Sequence, residues 1–367
     1  MHLRCHLIAL LVCLLAFTSH AFGWGSKEHI QLARIAVNRL IADPATPPEM
    51  KAWLERNTPG PRDMAFEKDY LLHTRIGMIP HGVDGIPFWA TMPDMDVFSS
   101  PPSSKVAPYG VHERLLHYVD LEFFVPDEAK REYRHDLSGK PKLADIPRDM
   151  KDPRWIRAGM LPFRMEECYK KLVESIRAGK LEDKPGQYPR DEHAVKWAGY
   201  LAHYAGDNTQ PQHATIDYKS TLYFADKRNA PNVHSEVEWK MVDDEFDDYM
   251  STREEYWKLF EAALNKLEDP IKTDDVWQAT CEVSIASYDA LPLIGLAAMH
   301  AAGQGGTPEK PQGAPKDKFD TAKFFAFKGQ YMGREMSVAE MKAYQQAWAV
   351  KRIERLLRKA WDEAKSK

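Results

Sequence analysis

The stretch 203–213 reads HYAGDNTQPQH, and 233–238 reads VHSEVE. Each places a histidine four residues before a carboxylate: His203 before Asp207, and His234 before Glu238. Side chains at that spacing share one face of a helix. Each pair can therefore offer an imidazole nitrogen and a carboxylate oxygen to one cation, the geometric logic of the HExxH zinc helix. His213 follows Asp207 after NTQPQ, where Pro211 turns the chain out of the helix. One such pair alone is more often a surface ion pair or a capped core histidine. Two pairs in one short region, bracketing a third histidine, point to metal binding. Nothing in the chain looks like a Ser-His-Asp nucleophile, a P-loop or a dinucleotide fingerprint.

The elements that must position these residues read as helices. Apolar residues recur at helical spacing over 29–41, 165–176, 191–207 and 233–250. Further helices are expected over 252–267 and 274–302, and a strongly amphipathic one over 337–364, with Ser337 and Glu340 as a capping box. Alternating strand patterns are scarce. The regions 59–110 and 125–160 read as long ordered loops, which a compact domain keeps mainly for function. The expected architecture is an all-α, multi-helix catalytic domain over 24–302. A Gly/Pro/Lys linker would follow over 303–318, then a helical extension over 319–367. The extension's aromatic cluster at 319–333 would either meet a lipid surface or fold back and bury its apolar stripe.

Residues 1–23 fit a secretory signal: Arg4, then the apolar run LIALLVCLLAF (7–17), then small residues at Ala21 and Gly23. Cleavage is expected before Trp24, giving a secreted or periplasmic protein. No later segment reads as a membrane span of about 20 apolar residues. With 50 basic and 54 acidic residues, the net charge of −4 does not advertise a general polyanion binder. A metal site could still supply local positive charge. Cys168 and Cys281 lie beyond the signal, and sequence does not say whether they pair.

HYAGDNTQPQH resembles the core motif of the zinc-dependent phospholipase C and S1/P1 nuclease superfamily, H-x3-D-x5-H. The expected mature start, WGSKEHIQLARIA (24–36), is similar to the nuclease pattern W-G-x-x-x-H followed by an A-x-I-A helix. MPDMD (92–96) resembles the phospholipase segment whose first Asp is a ligand, and LLHYVD (115–120) resembles the nuclease segment His-aromatic-x-Asp. The resemblance runs from Trp24 to about residue 300. It implies the fold of that superfamily and three Zn2+ ions. Asp94, His117, His203 and Asp207 would bind the first. His213, His234 and Glu238 would bind the second. The Trp24 backbone, His29 and Asp207 would bind the third, Asp207 bridging two ions. Asp94 and Asp207 would be the catalytic carboxylates. His73, His81, His135, His193 and His300 match no motif and read as surface or core histidines.

The resemblance implies hydrolysis of a phosphoric ester by water activated between metal ions. The nuclease features are WGSKEH, HYVD and Gln210; Tyr118 would stack on a base and Asp120 would hydrogen-bond it. The phospholipase features are Glu238, where the nucleases have Asp, together with PDMD and Tyr204. Val97 stands where the nucleases carry an Arg. The leading expectation is an enzyme of S1/P1 nuclease type acting on single-stranded nucleic acid or nucleotides. The alternative is a phospholipase C acting at a phospholipid surface. A third possibility is a zinc-binding protein that has lost catalysis. No protein partner is implied.

Overall fold

Apolar side chains three and four apart can shed water together only when a helix aligns them on one face. The computed structural model follows this rule through Trp24 and residues 26–58, 85–99, 111–127, 137–181, 193–238, 250–313, 315 and 319–366, the residues it describes. The expected signal at 1–23 lies outside them, as do His73, His81 and His135. Helix α1 (Ser26–Ala42) buries Ile30, Ala33, Val37 and Leu40, and α2 (Pro48–Arg56) buries Met50, Trp53 and Leu54. Next come α3 (Ile86–Trp89), α4 (Met92–Ser99) and α5 (Trp155–Ala158), then the longer α6 (Leu161–Arg177) and α7 (Ala194–Thr209). Among the described residues, 3-10 turns over 113–116, 121–124, 137–139 and 143–145 lie between α4 and α5.

Helix α8 (Val233–Glu238) carries the second His–Glu pair. The rest of the helix expected over 233–250 falls largely on 239–249, outside the described residues. Helix α9 (Met250–Lys266) follows, then α10 (Val276–Tyr288) and α11 (Leu291–Ala301). These last two replace the single helix expected over 274–302. Pro292 lies in the first turn of α11, where its missing N–H costs nothing, but it cannot continue α10. Val276–Ala301 has the length and apolar character of a membrane span, contrary to the expectation that no later segment would; most of it is buried within the fold.

The fold is helical, and the strands among the described residues form two short antiparallel hairpins. Hairpin β1–β2 (Gly305–Thr307 with Lys310–Gln312) lies inside the stretch read as a linker. Helix α12 (Thr321–Ala326) leads to hairpin β3–β4 (Lys328–Tyr331 with Arg334–Ser337) and then to α13 (Val338–Lys365). The capping box of Ser337 and Glu340 starts α13: each side chain accepts from the other's backbone N–H.

Two helices organise the packing. Helix α7 lies against α1, α3, α6, α10 and α13, and all its residues except Lys196 are buried. Helix α13 lies against α1, α6, α7 and α9. The aromatic cluster before it also turns inward, with Phe324 and Phe325 buried. Trp361 of α13 stacks on Trp53 of α2 at 5.6 Å. Such a pair adds about 0.5–1.5 kcal/mol beyond the area it hides. Gly199 lets α7 approach α3, since a Cβ there would sit 2.1 Å from that of Trp89. Cys168 and Cys281 are buried as free thiols.

Candidate metal centre

Helix α7 turns His203 and Asp207 toward the same side, one turn apart, and both are fully buried. Three other segments converge on them. Helix α1 brings His29, α4 brings Asp94 at its first turn, and the 3-10 turn at 113–116 ends on His117. His203 Nε2 lies 3.2 Å from Asp207 Oδ2, 3.6 Å from Asp94 Oδ1 and 3.1 Å from His117 Nδ1. His117 Nδ1 is 3.0 Å from Asp207 Oδ2 and 3.7 Å from Asp94 Oδ1. On the other side, His29 Nε2 is 3.4 Å from Asp207 Oδ1. The two oxygens of Asp207 therefore face different neighbours. Oδ2 faces His117 and His203, and Oδ1 faces His29.

A second constellation lies alongside. The 3-10 turn Pro211–Ala214 carries His213, and α8 carries His234 and Glu238. Glu238 Oε1 is 3.3 Å from His213 Nε2 and 2.6 Å from His234 Nε2. His213 Nδ1 is 2.8 Å from the His117 carbonyl oxygen, which ties this group to the first. Among the described residues, three buried groups bring ligand atoms together closely enough to hold metal ions: His29, His203 and Asp207; Asp94, His117 and His203; and His213, His234 and Glu238.

Orphaned polar atoms test whether a cation fits. Asp94 Oδ1, Asp207 Oδ1, Glu238 Oε2 and both ring nitrogens of His29 are buried without a hydrogen-bond partner among the described residues. Such atoms are rare in a folded interior unless something else satisfies them. The donor set is all nitrogen and oxygen, which suits a borderline cation such as zinc.

Outer contacts orient the rings. His203 Nδ1 donates to the Ala90 carbonyl at 2.8 Å, which turns Nε2 toward the cluster; His213 Nδ1 does the same with the His117 carbonyl. Tyr204 meets His117 and His203 edge-on and donates its hydroxyl to Glu113 at 2.6 Å, while Arg164 holds Glu113 at 3.1 Å. Gln210 donates to Glu238 at 3.2 Å. Gly206 admits the α1 segment against α7, for a Cβ there would come within 3.1 Å of the His29 ring.

The titration behaviour follows from the charges. Burial works against a charged His203, yet Asp207 and Asp94 outweigh it and push its pKa up to about 9. Burial, with His203 nearby, holds His29 below its ordinary value. Burial would raise Asp207, but His203, His117 and His29 keep it well below the usual carboxylate range. Burial pushes Glu238 well up against the hydrogen bond from Gln210, and Asp207 and Asp94 add to the rise. A proton on His203 and a divalent cation thus compete for the same carboxylates.

The remaining histidines and the other expected residues are placed as follows. Trp24 is fully buried, and its ring edge is close to Gly206. His112 caps the turn at 113–116 by accepting from Arg114 N at 3.2 Å and does not join the clusters. His193 and His300 lie outside the clusters too. Tyr118 is half-buried directly after His117, and burial, then Asp120, push its pKa up to about 12. Asp120 is buried. Sequence reading missed Tyr218, whose ring meets His234 edge-on at 5.3 Å, and the Ala90 and His117 carbonyls. Backbone oxygens leave no trace in a sequence pattern. A groove of about 570 Å³ beside Lys351 is lined by Arg39, Asp43, Glu354, Arg355 and Arg358. Its charges answer one another, Arg39 with Glu354 and Arg358 with Asp43.

Comparison with family models, with curated proteins and with solved structures finds no significant match.

Proposed function

We propose that this chain is an exported, zinc-dependent phosphodiester hydrolase of the phospholipase C and S1/P1 nuclease superfamily, acting on single-stranded nucleic acids or nucleotides. The observation that carries the reading is the division of Asp207 between two clusters, Oδ1 toward His29 and Oδ2 toward His117 and His203, with the His213 group alongside. His29, Asp94, His117, His203 and Asp207 would hold two ions, and His213, His234 and Glu238 a third, with the Trp24 backbone completing the His29 site. Bound there, the cations would acidify water and neutralise charge on the phosphate.

The chain's own residues supply the rest. Asp94 would orient the attacking water as well as hold the ion. The buried walls around His203 keep bulk water from screening the charges. Tyr118 offers a face for a base, worth about 1–3 kcal/mol, and Asp120 its hydrogen bond.

The test uses the chain beginning at Trp24. It should release acid-soluble nucleotides from single-stranded DNA or RNA, lose that activity in EDTA and regain it with zinc. No release across acid and neutral pH would sink the nuclease reading. Glu238, in place of an Asp, favours a second reading as a phospholipase C. That reading requires diacylglycerol from phosphatidylcholine vesicles. Zinc uptake with neither activity would identify a binding protein without catalysis.

A further inference from the structure

Helix α13 contributes no residue to the three clusters, yet its inner face carries a polar stripe that simple packing would not need. Lys342, Gln345 and Gln346 are all fully buried. Lys342 Nζ lies 2.7 Å from Glu28 Oε1 and donates to the Val237 carbonyl at 2.7 Å. It also sits 5.5 Å from the ring centre of Trp24 and 5.7 Å from that of Tyr256. Tyr256 in turn donates to Gln346. Glu28 immediately precedes His29, and Val237 immediately precedes Glu238. One buried ammonium therefore joins a segment bearing a ligand of the first group to the helix bearing a ligand of the other.

We propose that Lys342 is a positioning residue of the metal centre, clamping the first turn of α1 at Glu28 and His29 and the end of α8 in the register that metal uptake requires. This rests on the reading that the clusters hold divalent ions. The physical reason is the cost of a buried charge. An ammonium with no water needs a carboxylate and further acceptors at fixed places. Glu28 and the Val237 carbonyl are those acceptors, and the Trp24 and Tyr256 rings give their π faces to the same cation. The groups that satisfy Lys342 are bound by their peptide links to His29 and Glu238. A shift of either segment would strand the charge.

The experiment measures Co2+ uptake by the full chain, with the visible ligand-field spectrum as readout. Lys342→Met should weaken uptake about 10- to 100-fold, the scale of losing an outer support of a metal ligand, and change the spectrum. Because removing the ammonium beside the buried Glu28 carboxylate works against folding of that variant, the double variant Glu28→Gln with Lys342→Met removes both charges. It should fold better than the single variant and keep the metal defect. Val350→Ala, elsewhere on the buried side of α13, should lower stability and leave the spectrum unchanged. Parent-like uptake and spectrum in the folded double variant would overturn the inference while leaving the metal centre standing. A folded parent that takes up no Co2+ would overturn the metal-centre reading and this inference with it.

Discussion

Helices α7 and α13 both run through the interior, and both carry polar side chains there, but they treat those side chains differently. On α13 the buried charges are answered by protein. Lys342 meets Glu28 and the Val237 carbonyl, and Arg352 reaches Asp269 at 2.8 Å, beside a 2.9 Å bond from Trp348 to the same carboxylate. At α7 the carboxylates face imidazoles in place of a fixed cation: Asp207 Oδ1 lies 3.4 Å from His29 Nε2, and Asp94 Oδ1 3.6 Å from His203 Nε2. Asp207 Oδ1, and Asp94 Oδ1 from the facing α4, have no hydrogen-bond partner among the described residues. A satisfied buried charge is scaffold. An unsatisfied one, packed with others of its kind, is a place for a ligand of opposite charge.

The comparison breaks most directly at Asp207. Asp207→Ala removes both oxygens that the two neighbouring clusters face. It should lose the ions of both and cut phosphodiester hydrolysis by at least about 10²–10³-fold, the scale of losing one preorganised electrostatic contact. Metal analysis and turnover check this together, and unchanged stoichiometry would mean the oxygens are not ligands.

The opposite limb is tested at Arg352. Arg352→Met takes one of its partners from Asp269, and breaking a buried pair costs about 3–5 kcal/mol. The lower end is expected, because Trp348 and Arg355 still reach that carboxylate. Urea unfolding should show the loss, with metal content unchanged in the folded protein. A metal defect in this variant would erase the distinction between the two helices.

The smallest expected effect is a proton count. With its pKa pushed up to about 9, His203 holds a proton at neutral pH in the chelated protein and must release it to bind metal. Apparent zinc affinity should therefore rise with pH through the neutral range and level off above about 9. An indicator dye should register proton release on zinc addition, and metal uptake with no release would contradict the charge assignment.

The sequence made the contiguous parts of this arrangement legible. His203 with Asp207 and His234 with Glu238 could be read because helical spacing fixes their shared face. The all-α class followed from the same periodicity. Proline misled the reading at α3, α4 and α11. Pro87 and Pro93 each lie in a first helical turn, where the ring is tolerated, yet in a Pro-rich stretch they look like loop residues. In the apolar stretch 274–302 the break at Pro292 was hidden by continuous hydrophobicity. The pairing of Glu28 with Lys342 was invisible because its partners sit at opposite ends of the chain and no local pattern links them. The Ala90 and His117 carbonyls that orient His203 and His213 belong to the backbone, which every residue has.

The central claim is that the orphaned oxygens around α7 and α8 are metal ligands. Metal analysis by mass spectrometry of the folded chain beginning at Trp24, dialysed first against zinc and then against zinc-free buffer, tests it most directly. The account predicts three zinc equivalents per chain, matching the three clusters. A fully folded chain that retains less than one equivalent would contradict it.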